Sequence, residues 1–367
     1  MVPPARILQE MALEAGFDLV GIGAIQDPQQ SEHFLHWLDA GHQADMAYLA
    51  RNRERIAAPD RWRPKLRSGL SVAIDYNRPE HRLGGAKIAR YALGRDYHRA
   101  MGKRLERLKK RLVGDGIAPE RLHFGVDAVP FLERALAVRS GIGFFAKSNM
   151  VISPRRGPWL LLGELLVAAE FEAEAPSPGS CGTCTACLDA CPTQAFVGPF
   201  ELDARRCLSY TSIESRGPIP YELREAQSQW LFGCDICVEV CPFARREKES
   251  PEDPDLRLHP VLETYDLLGV LELEQEDWNR DWVGSAIRRA TRNGLRRNAA
   301  LALARSQESR ASLALSRALQ DPDPGVRSSV AWALARRGEE RAAVATALDK
   351  ENDPELRADL TRSLESY

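Results

Sequence analysis

The chain has 367 residues, of which 44% are hydrophobic, and a formal net charge of −2. This length predicts two or three domains, each with enough apolar side chains to bury a core. The near-neutral balance excludes a uniformly basic nucleic-acid binder, and no apolar run reaches the roughly 18 residues that span a membrane. The N-terminus carries no secretory signal pattern, so we expect a cytoplasmic protein.

The first half of the chain predicts strands that alternate with helices. Helices are expected at 5–15, 31–40, 44–52 and 97–113, and strands at 18–25, 69–76, 123–127, 149–153 and 159–170. A further helix is expected to open at Pro130 and to run to Arg139. The run Arg155-Arg156-Gly157-Pro158 is typical of a hairpin that joins the last two strands. Such interleaving predicts an α/β or α+β domain over residues 1–172.

All eight cysteines lie between Cys181 and Cys241, in an expected module at 173–245 that follows a Pro/Ser/Gly linker at 172–180. The first four have the spacing C-x2-C-x2-C-x3-C-P, which is typical of ferredoxins that bind [4Fe-4S] clusters. The second run ends in the same C-x3-C-P pattern but has Leu231 where its first cysteine would stand. Two cubes need eight thiolates, so the lone Cys207 is predicted to supply the eighth.

In paired clusters the fourth cysteine of a run serves the other cluster. One cluster is therefore assigned Cys181, Cys184, Cys187 and Cys241, and the other is assigned Cys191, Cys207, Cys234 and Cys237. Structural zinc is the alternative, because CxxC pairs also bind zinc, although zinc has little use for two C-x3-C-P endings. Disulfides are not expected in a chain without a secretory signal.

After a connecting segment at 246–280, the tail at 281–367 is repetitive. Arg296, Arg327 and Arg357 stand 31 and 30 residues apart in three similar phrases, and the last two phrases follow Asp-Pro steps. This spacing predicts HEAT-like helical pairs, with an ordinary helical bundle as the alternative. A row of arginines at such intervals would suit a phosphate backbone.

Two stretches are strongly basic within this near-neutral chain. The stretch from Arg82 to Arg121 has 12 Lys or Arg against 4 Asp or Glu, and the stretch from Asp281 to Arg317 has 8 against 2. Local basic surfaces of this kind indicate a polyanionic partner. The alternative is that these residues form solvated helix faces balanced by acidic residues elsewhere.

Several phrases resemble the epoxyqueuosine reductase family of the queuosine tRNA-modification pathway. They are YALGRDYH at 91–98, DAVPFLER at 127–134, GIGFFAK at 141–147, LGELL at 162–166 and DARRCLSY at 203–210. The resemblance covers almost the whole chain. It implies an oxidoreductase that reduces the epoxide of epoxyqueuosine at the tRNA wobble position to queuosine. It also implies two [4Fe-4S] clusters and base-off cobalamin, with the cobalamin between the N-terminal domain and the cluster module.

The resemblance further implies roles for individual residues. Asp127 would be the acid that protonates the departing epoxide oxygen, which requires a pKa raised by burial. Without the resemblance, Asp127 would be a turn or cap residue ahead of a helix. The substrate pocket would be lined by Asp96, Tyr97 and His98. Cobalamin contacts are implied at Arg51, Asp127, Lys147, Val151, Leu162, Ser209 and Glu214.

The expected partners are a tRNA with epoxyqueuosine at the wobble position, held by the repeat tail, and an external electron donor. No membrane contact is expected, and we expect a monomer. Two rival interpretations stay open: another corrinoid reductase, such as a reductive dehalogenase, and a two-cluster electron-transfer protein whose tail docks a protein. Corrin binding would exclude the second rival, and salt-sensitive tRNA affinity would exclude the first.

Overall fold

The structure is a computed structural model that describes residues 2–127, 129–172, 175–245 and 253–367. The helices are α1 Ala5–Glu14, α2 Pro28–Asp39, α3 Ala47–Arg51, α4 Arg53–Ala57, α5 Pro59–Trp62, α6 Tyr97–Gly114, α7 Glu133–Arg139, α8 Ala186–Asp189, α9 Leu208–Ile213, α10 Arg224–Gln227, α11 Ile236–Glu239, α12 Val261–Thr264, α13 Leu267–Leu271, α14 Gln275–Asp281, α15 Thr291–Leu303, α16 Ala311–Ala318, α17 Pro324–Arg337, α18 Arg341–Lys350 and α19 Pro354–Glu365. The strands are β1 Leu19–Ala24, β2 Ser68–Asp75, β3 His81–Leu83, β4 Ala86–Ile88, β5 Leu122–Gly125, β6 Phe144–Phe145, β7 Val151–Ile152, β8 Leu160–Val167, β9 Phe196–Gly198, β10 Glu201–Leu202 and β11 Trp230–Phe232. Among the described residues, none of the helices combines the length and apolar character that crossing a membrane requires.

The chain forms two compact units that are each discontinuous in sequence. Unit 1 comprises Met1–Arg78, Asp96–Ala204 and Ile236–Leu256, and unit 2 comprises Pro79–Arg95, Arg205–Asp235 and Arg257–Tyr367. The predicted boundaries after residues 172, 245 and 280 remain predictions, and both units cut across them. The predicted linker at 172–180 and the predicted connecting segment at 246–280 fall partly on 173–174 and 246–252, outside the described residues.

Unit 1 is built on a four-stranded antiparallel sheet with the strand order β1-β2-β8-β5. All eight residues of β8 are buried, because helices cover both faces of this central strand. Gly163 faces α6, since a Cβ at this position would lie 3.2 Å from the Met101 side chain. Leu166, on the opposite face, packs in a core cluster with Leu136 of α7. An antiparallel sheet with helices packed on it makes this unit α+β, one of the two predicted classes.

Two local predictions for unit 1 are wrong. The strands at 149–153 and 159–170 do not form a hairpin: β7 pairs with β6, and β8 pairs with β2 and β5. The turn residues between them contribute one isolated β-bridge, which joins Ser153 to Gly157. The helix expected at Pro130 begins only at Glu133, because the preceding residues form a tight bend in which the Phe131 N–H donates to the Val129 carbonyl.

Unit 2 joins a small sheet to the repeat tail through one continuous core. Its strands have the order β11-β4-β3, and residues of this sheet, including Leu83 and Phe232, pack in the same cluster as the tail helices. The predicted helical repeats are confirmed. The carboxylates of Asp323 and Asp353 cap α17 and α19 by accepting the N–H groups three residues on, and a proline follows each at the first helical position.

Candidate active site

A cavity in unit 1 brings most of the cysteines of the first run together. Its volume is about 40 Å³, and Cys181, Cys184, Cys187, Cys237 and Cys241 all line it. The apolar wall includes Ala146, Ile152 and Phe243, which pack in a cluster with Cys181 and Cys241. The lining therefore includes all four cysteines that the spacing assigned to one cluster. None of the eight cysteines of the chain forms a disulfide.

Lys147 lies beside the cysteine cavity. Its backbone N–H donates to the Cys181 Sγ over 3.4 Å, a contact typical of amides that surround cluster thiolates. Its ammonium donates to the carbonyls of Gly182 and Cys184, at 2.8 and 3.0 Å. The Lys147 side chain thus fixes the cysteine loop, and its predicted contact with cobalamin stays a prediction.

The arrangement of the cysteines also bears on the zinc alternative. Within residues 2–127, 129–172, 175–245 and 253–367, no three His, Cys, Asp or Glu side chains are placed to hold one metal ion. A single zinc ion draws its sulfur ligands tightly together, whereas each sulfur around a cube binds a different iron. The two C-x3-C-P endings of the sequence are what favours clusters over zinc.

The cysteines of the other predicted cluster each have local contacts of their own. Cys191 belongs to unit 1, where its Sγ accepts the Ala195 N–H over 3.3 Å. Cys207 and Cys234 belong to unit 2, and Cys207 precedes α9 as its capping residue. The assignment of these residues and Cys237 to one cluster stays a prediction.

Asp127 lies at the centre of a second constellation in unit 1. It follows β5 in a left-handed backbone conformation with φ 56°, which is uncommon for residues other than glycine and concentrates at functional sites. The Tyr97 hydroxyl donates to the Asp127 Oδ2 at 2.8 Å, and the His98 Nε2 lies 3.5 Å from the same oxygen. The other His98 ring nitrogen lies 2.7 Å from the Asp96 Oδ1. The structure thus brings together Asp127 and the three residues predicted to line the substrate pocket.

The charges in this constellation differ from the expectation. Burial alone would lower the pKa of His98, but hydrogen bonds to Asp127 and Asp96 outweigh it and raise that pKa to about 9. The hydrogen bond from His98 is in turn the largest influence on Asp127 and holds the pKa of its carboxyl below the ordinary value, with the Tyr97 hydroxyl adding to the effect. The sequence-based expectation of a raised pKa for Asp127 is therefore wrong, because the cation beside it outweighs burial.

Two acids near Asp127, the half-buried Glu133 and the buried Glu164, were not predicted from the sequence. The Glu133 carboxylate, at the start of α7, accepts the Asp127 backbone N–H at 3.2 Å. Glu164 lies on β8 directly opposite Gly125 and is only 2% exposed. A Cβ on Gly125 would lie 2.6 Å from the Glu164 Oε1, so only glycine leaves room for this acid. A glutamate inside the otherwise apolar strand LLLGELLV is the signal that could have revealed it.

The remaining predicted contacts have different surroundings. Arg51 is exposed at the end of α3, and Ser209 is half-buried on α9. Val151 and Leu162 belong to the core of unit 1. Glu214 accepts the guanidinium of Arg289 at 2.6 Å within unit 2. Of these five predicted residues, Val151 and Leu162 are packed in the core and Glu214 is in an ion pair. Arg51 and Ser209 therefore have the polar side chains that are left to contact a cofactor.

The repeat arginines hold the tail together. Arg296 is 8% exposed and pairs with Asp321 at 2.5 Å. Arg327 pairs with Glu351 at 2.8 Å and donates to the Asp321 carbonyl, and Arg357 donates to the Glu351 carbonyl at 2.6 Å. The prediction that this row faces a phosphate backbone is wrong for Arg296, which is buried in its ion pair, and stays a prediction for the half-buried Arg327 and the exposed Arg357.

Helix α6 carries a different set of cations, which we call the α6 stripe: Arg99, Lys103 and Arg107. All three are exposed, and their side chains form no ion pair or hydrogen bond with the described part of the chain. Their spacing of four residues aligns them along one side of the helix. The stripe begins with Arg99, the residue after His98, so it starts in the same turn of α6 as two residues of the Asp127 constellation.

The protein as a whole belongs to the class of iron–sulfur oxidoreductases. Residues 180–244 match the 4Fe-4S double cluster binding domain, and residues 281–365 match HEAT repeats. Residues 57–128 match the family described as Epoxyqueuosine reductase QueG, DUF1730.

Similar proteins point to one family. The epoxyqueuosine reductase of Synechococcus is 38% identical over 81% of this chain and 94% of its own, and that of Gloeobacter violaceus is 38% identical over 85% and 99%. A crystal structure of epoxyqueuosine reductase with an epoxyqueuosine-modified tRNA-Tyr stem loop is 28% identical, covers 98% of both chains and has a TM-score of 0.87. A structure of the Bacillus subtilis enzyme, with its catalytic aspartate loop swung out of the active site, is 27% identical over 98% of both chains with a TM-score of 0.86. The chain belongs to the epoxyqueuosine reductase family.

Proposed function

We propose that this protein reduces the epoxide of epoxyqueuosine in tRNA to the alkene of queuosine, using two [4Fe-4S] clusters and cobalamin. The observation that carries this proposal is the Asp127 constellation, in a chain that matches an epoxyqueuosine reductase bound to a modified tRNA stem loop over 98% of its length. The constellation supplies what epoxide reduction demands of a protein, namely a proton donor held at one point.

The stoichiometry of the reaction sets the demands on the site. Two C–O bonds break, two electrons enter the carbon framework, and the oxygen leaves as water after taking up two protons. A [4Fe-4S] cluster transfers one electron at a time, so two clusters suit a two-electron reduction. We propose that an external donor resupplies the electrons and that the enzyme works as a monomer.

We propose the crossed set of cluster ligands. Cys181, Cys184, Cys187 and Cys241 would hold one cluster, which their common cavity supports. Cys191, Cys207, Cys234 and Cys237 would hold the other. The amide of Lys147 would then donate to a cluster thiolate and stabilise its negative charge.

The residues of unit 1 fit cobalamin through a small number of exposed polar groups. Arg51 is exposed, and the Asp127 side chain is 55% exposed, so both can meet a ligand that covers them. Ser209 keeps its predicted role as a cofactor contact, and its hydroxyl is half-buried. Val151 and Leu162 would contact the cofactor through backbone atoms, because their side chains are packed in the core. When bound, cobalamin supplies a cobalt centre that acts as a strong nucleophile or reductant.

The role proposed for Asp127 is to deliver a proton to the departing oxygen. An alkoxide is a poor leaving group, so protonation at this point lowers the barrier. Tyr97 and His98 hold the carboxyl in place through the Oδ2, which leaves the Oδ1 for the substrate side. We propose that the segment carrying Asp127 corresponds to the catalytic aspartate loop that is swung out of the active site in the Bacillus subtilis structure.

We propose that the α6 stripe contacts the tRNA backbone. Its three exposed cations form no ion pair with the described residues, unlike Arg296 and Arg327 of the tail. Phosphate contacts from Lys and Arg position RNA without reading its sequence. A stripe that begins at the residue after His98 suits the RNA strand that flanks a modified base.

The test is anaerobic turnover of tRNA that contains epoxyqueuosine, with and without added cobalamin. We expect one queuosine for every two electrons consumed, only when cobalamin is present. Asp127→Asn should keep its iron content and tRNA affinity but lose turnover by about a hundredfold or more, because the proton donor is removed. Cobalamin-independent turnover, or full activity of Asp127→Asn, would overturn the proposal.

A further inference from the structure

Three carboxyl groups from three elements meet at the loop that carries Asp127. Asp127 follows β5, Glu133 opens α7, and Glu164 points from β8 to the face of the sheet that α7 covers. The Glu133 carboxyl accepts the Asp127 backbone N–H, and the Glu164 Oε1 lies against Gly125, two residues before Asp127. Most buried acids are tied to a cation, yet the Glu164 Oε2 has no hydrogen-bond partner among the described residues.

The proposed reaction requires a source of protons beside Asp127, and the three carboxyl groups lie there. The departing oxygen needs two protons, and Asp127 can pass on only one at a time, after receiving it from a neighbouring group. Asp127 is also kept ionised at rest by the hydrogen bond from His98. A group that holds a proton near neutral pH must therefore border the Asp127 loop. His98 borders the Oδ2 of Asp127 and can supply one proton, which leaves the second without a source.

We propose that Glu133 is a positioning residue that fixes the Asp127 loop and stores the proton with which Asp127 is reloaded. In this step the Glu133 O–H bond breaks and an Asp127 O–H bond forms, so that Glu133 becomes a carboxylate and no electron moves. The transfer requires the Glu133 carboxyl to turn from the backbone N–H to the Asp127 side chain, or one water between them. Solvent restores the proton of Glu133 after turnover. This inference rests on the proposed function for its substrate.

The surroundings of Glu133 favour a stored proton. Burial is the largest cause, followed by the negative charge of Asp127, and together they raise the pKa of Glu133 to about 7. Two cations oppose this shift: Arg134, the next residue on α7, and His98 on α6. Burial also raises the pKa of Glu164 well above its ordinary value, so this acid stays neutral. Among three close carboxyls, Glu133 is thus the one that titrates near neutral pH.

The variant Glu133→Gln tests proton storage separately from the positioning of the Asp127 loop. Glutamine retains an oxygen that accepts the Asp127 N–H but has no titratable proton. We expect single-turnover reduction to slow about tenfold at pH 6. The decline that the wild type shows as pH rises through about 7 should disappear. Glu133→Asp should restore that decline. Glu120→Gln removes an exposed carboxylate of unit 1 outside the cluster and should behave as wild type.

Infrared titration of the resting holoenzyme gives a second readout that needs no turnover. A protonated buried carboxyl has a C=O band that vanishes on ionisation. We expect one such band to titrate near pH 7 in the wild type and in Glu120→Gln, and to be missing in Glu133→Gln. An unchanged band or an unchanged pH profile in Glu133→Gln would overturn the inference. A band that behaves as expected in an enzyme that does not reduce epoxyqueuosine would instead refute the proposed function.

Discussion

Helix α6 and the repeat tail carry the two basic stretches of the chain, and their arginines have opposite surroundings. In the tail, Arg296 and Arg327 are held by Asp321 and Glu351, which lie in the loops between helices. On α6, Arg99 and Arg107 are exposed and have no acidic partner among the described residues. A count of charges along the sequence gave both stretches the same interpretation.

The two sets of arginines differ in the hydrogen-bond acceptors that the neighbouring loops supply. Each repeat ends in a loop whose carbonyls and acidic side chains face the next helix, so an arginine at that position closes the interface between repeats. Helix α6 packs one side on the sheet and leaves the opposite side to solvent. The lesson is that a cation's role depends on the acceptors within its reach, which only the fold reveals.

Replacing a repeat arginine should have the largest effect on stability. Arg296→Ala leaves the buried Asp321 carboxylate unpaired, which costs about 3 kcal/mol of unfolding free energy. Urea unfolding followed by tryptophan fluorescence measures the change, since unit 2 contains Trp278 and Trp282 in its core. Arg305→Ala, which breaks a half-exposed pair with Glu225, is the matched control and should change stability by less than about 0.5 kcal/mol. Equal effects of the two variants would contradict a structural role for Arg296.

Neutralising the α6 stripe should affect RNA binding instead. The triple variant Arg99→Gln, Lys103→Gln and Arg107→Gln should bind tRNA about tenfold more weakly, and the slope of log affinity against log salt should fall by about 2. Its unfolding free energy should stay close to that of the wild type, because the three side chains are exposed and unpaired.

A matched triple variant tests whether position or net charge decides this loss. Arg6→Gln, Arg53→Gln and Arg67→Gln remove the same charge from unit 1 outside α6, but each of these arginines is paired with an acid on the surface. We expect its salt slope to remain near the wild-type value. A similar loss of affinity in both triples would mean that the protein attracts tRNA by its general field and not through α6.

The sequence predicted those features that depend on local patterns. The spacing of the cysteines placed four of them around one cavity, and apolar periodicity found α6 and β8 to within a few residues. The false hairpin shows the limit: the local turn signal around Gly157 was overridden by the long-range pairing of β8 with β2 and β5.

The candidate site was predictable only in part for the same reason. Tyr97, His98 and Asp127 could be named from the family resemblance, but the protonation of the site depends on contacts across elements. Glu133 looks like an ordinary acid in the first turn of a helix. Its proximity to the Asp127 loop follows from a bend at 129–132 that the sequence pattern assigned to the helix itself.

A change of pH distinguishes α6 from the repeat tail, because it alters the charge of His98 while leaving every arginine charged. The pKa of His98 is raised from its ordinary 6.5 to about 9, so the folded state binds the proton more tightly than the unfolded chain does. The stabilisation from His98 is therefore fully present below pH 6.5 and is lost as pH rises through about 9. We expect His98→Gln to melt about 1 to 2 °C below the wild type at pH 6, because the side chain is partly exposed, and to melt with it at pH 9.5. Asp96 and Asp127 stay ionised throughout, since the pKa of each carboxyl is lowered by His98. A difference that stays constant between these pH values would mean that His98 stabilises the fold by packing alone, and the ionised state assigned to Asp127 would lose its cause.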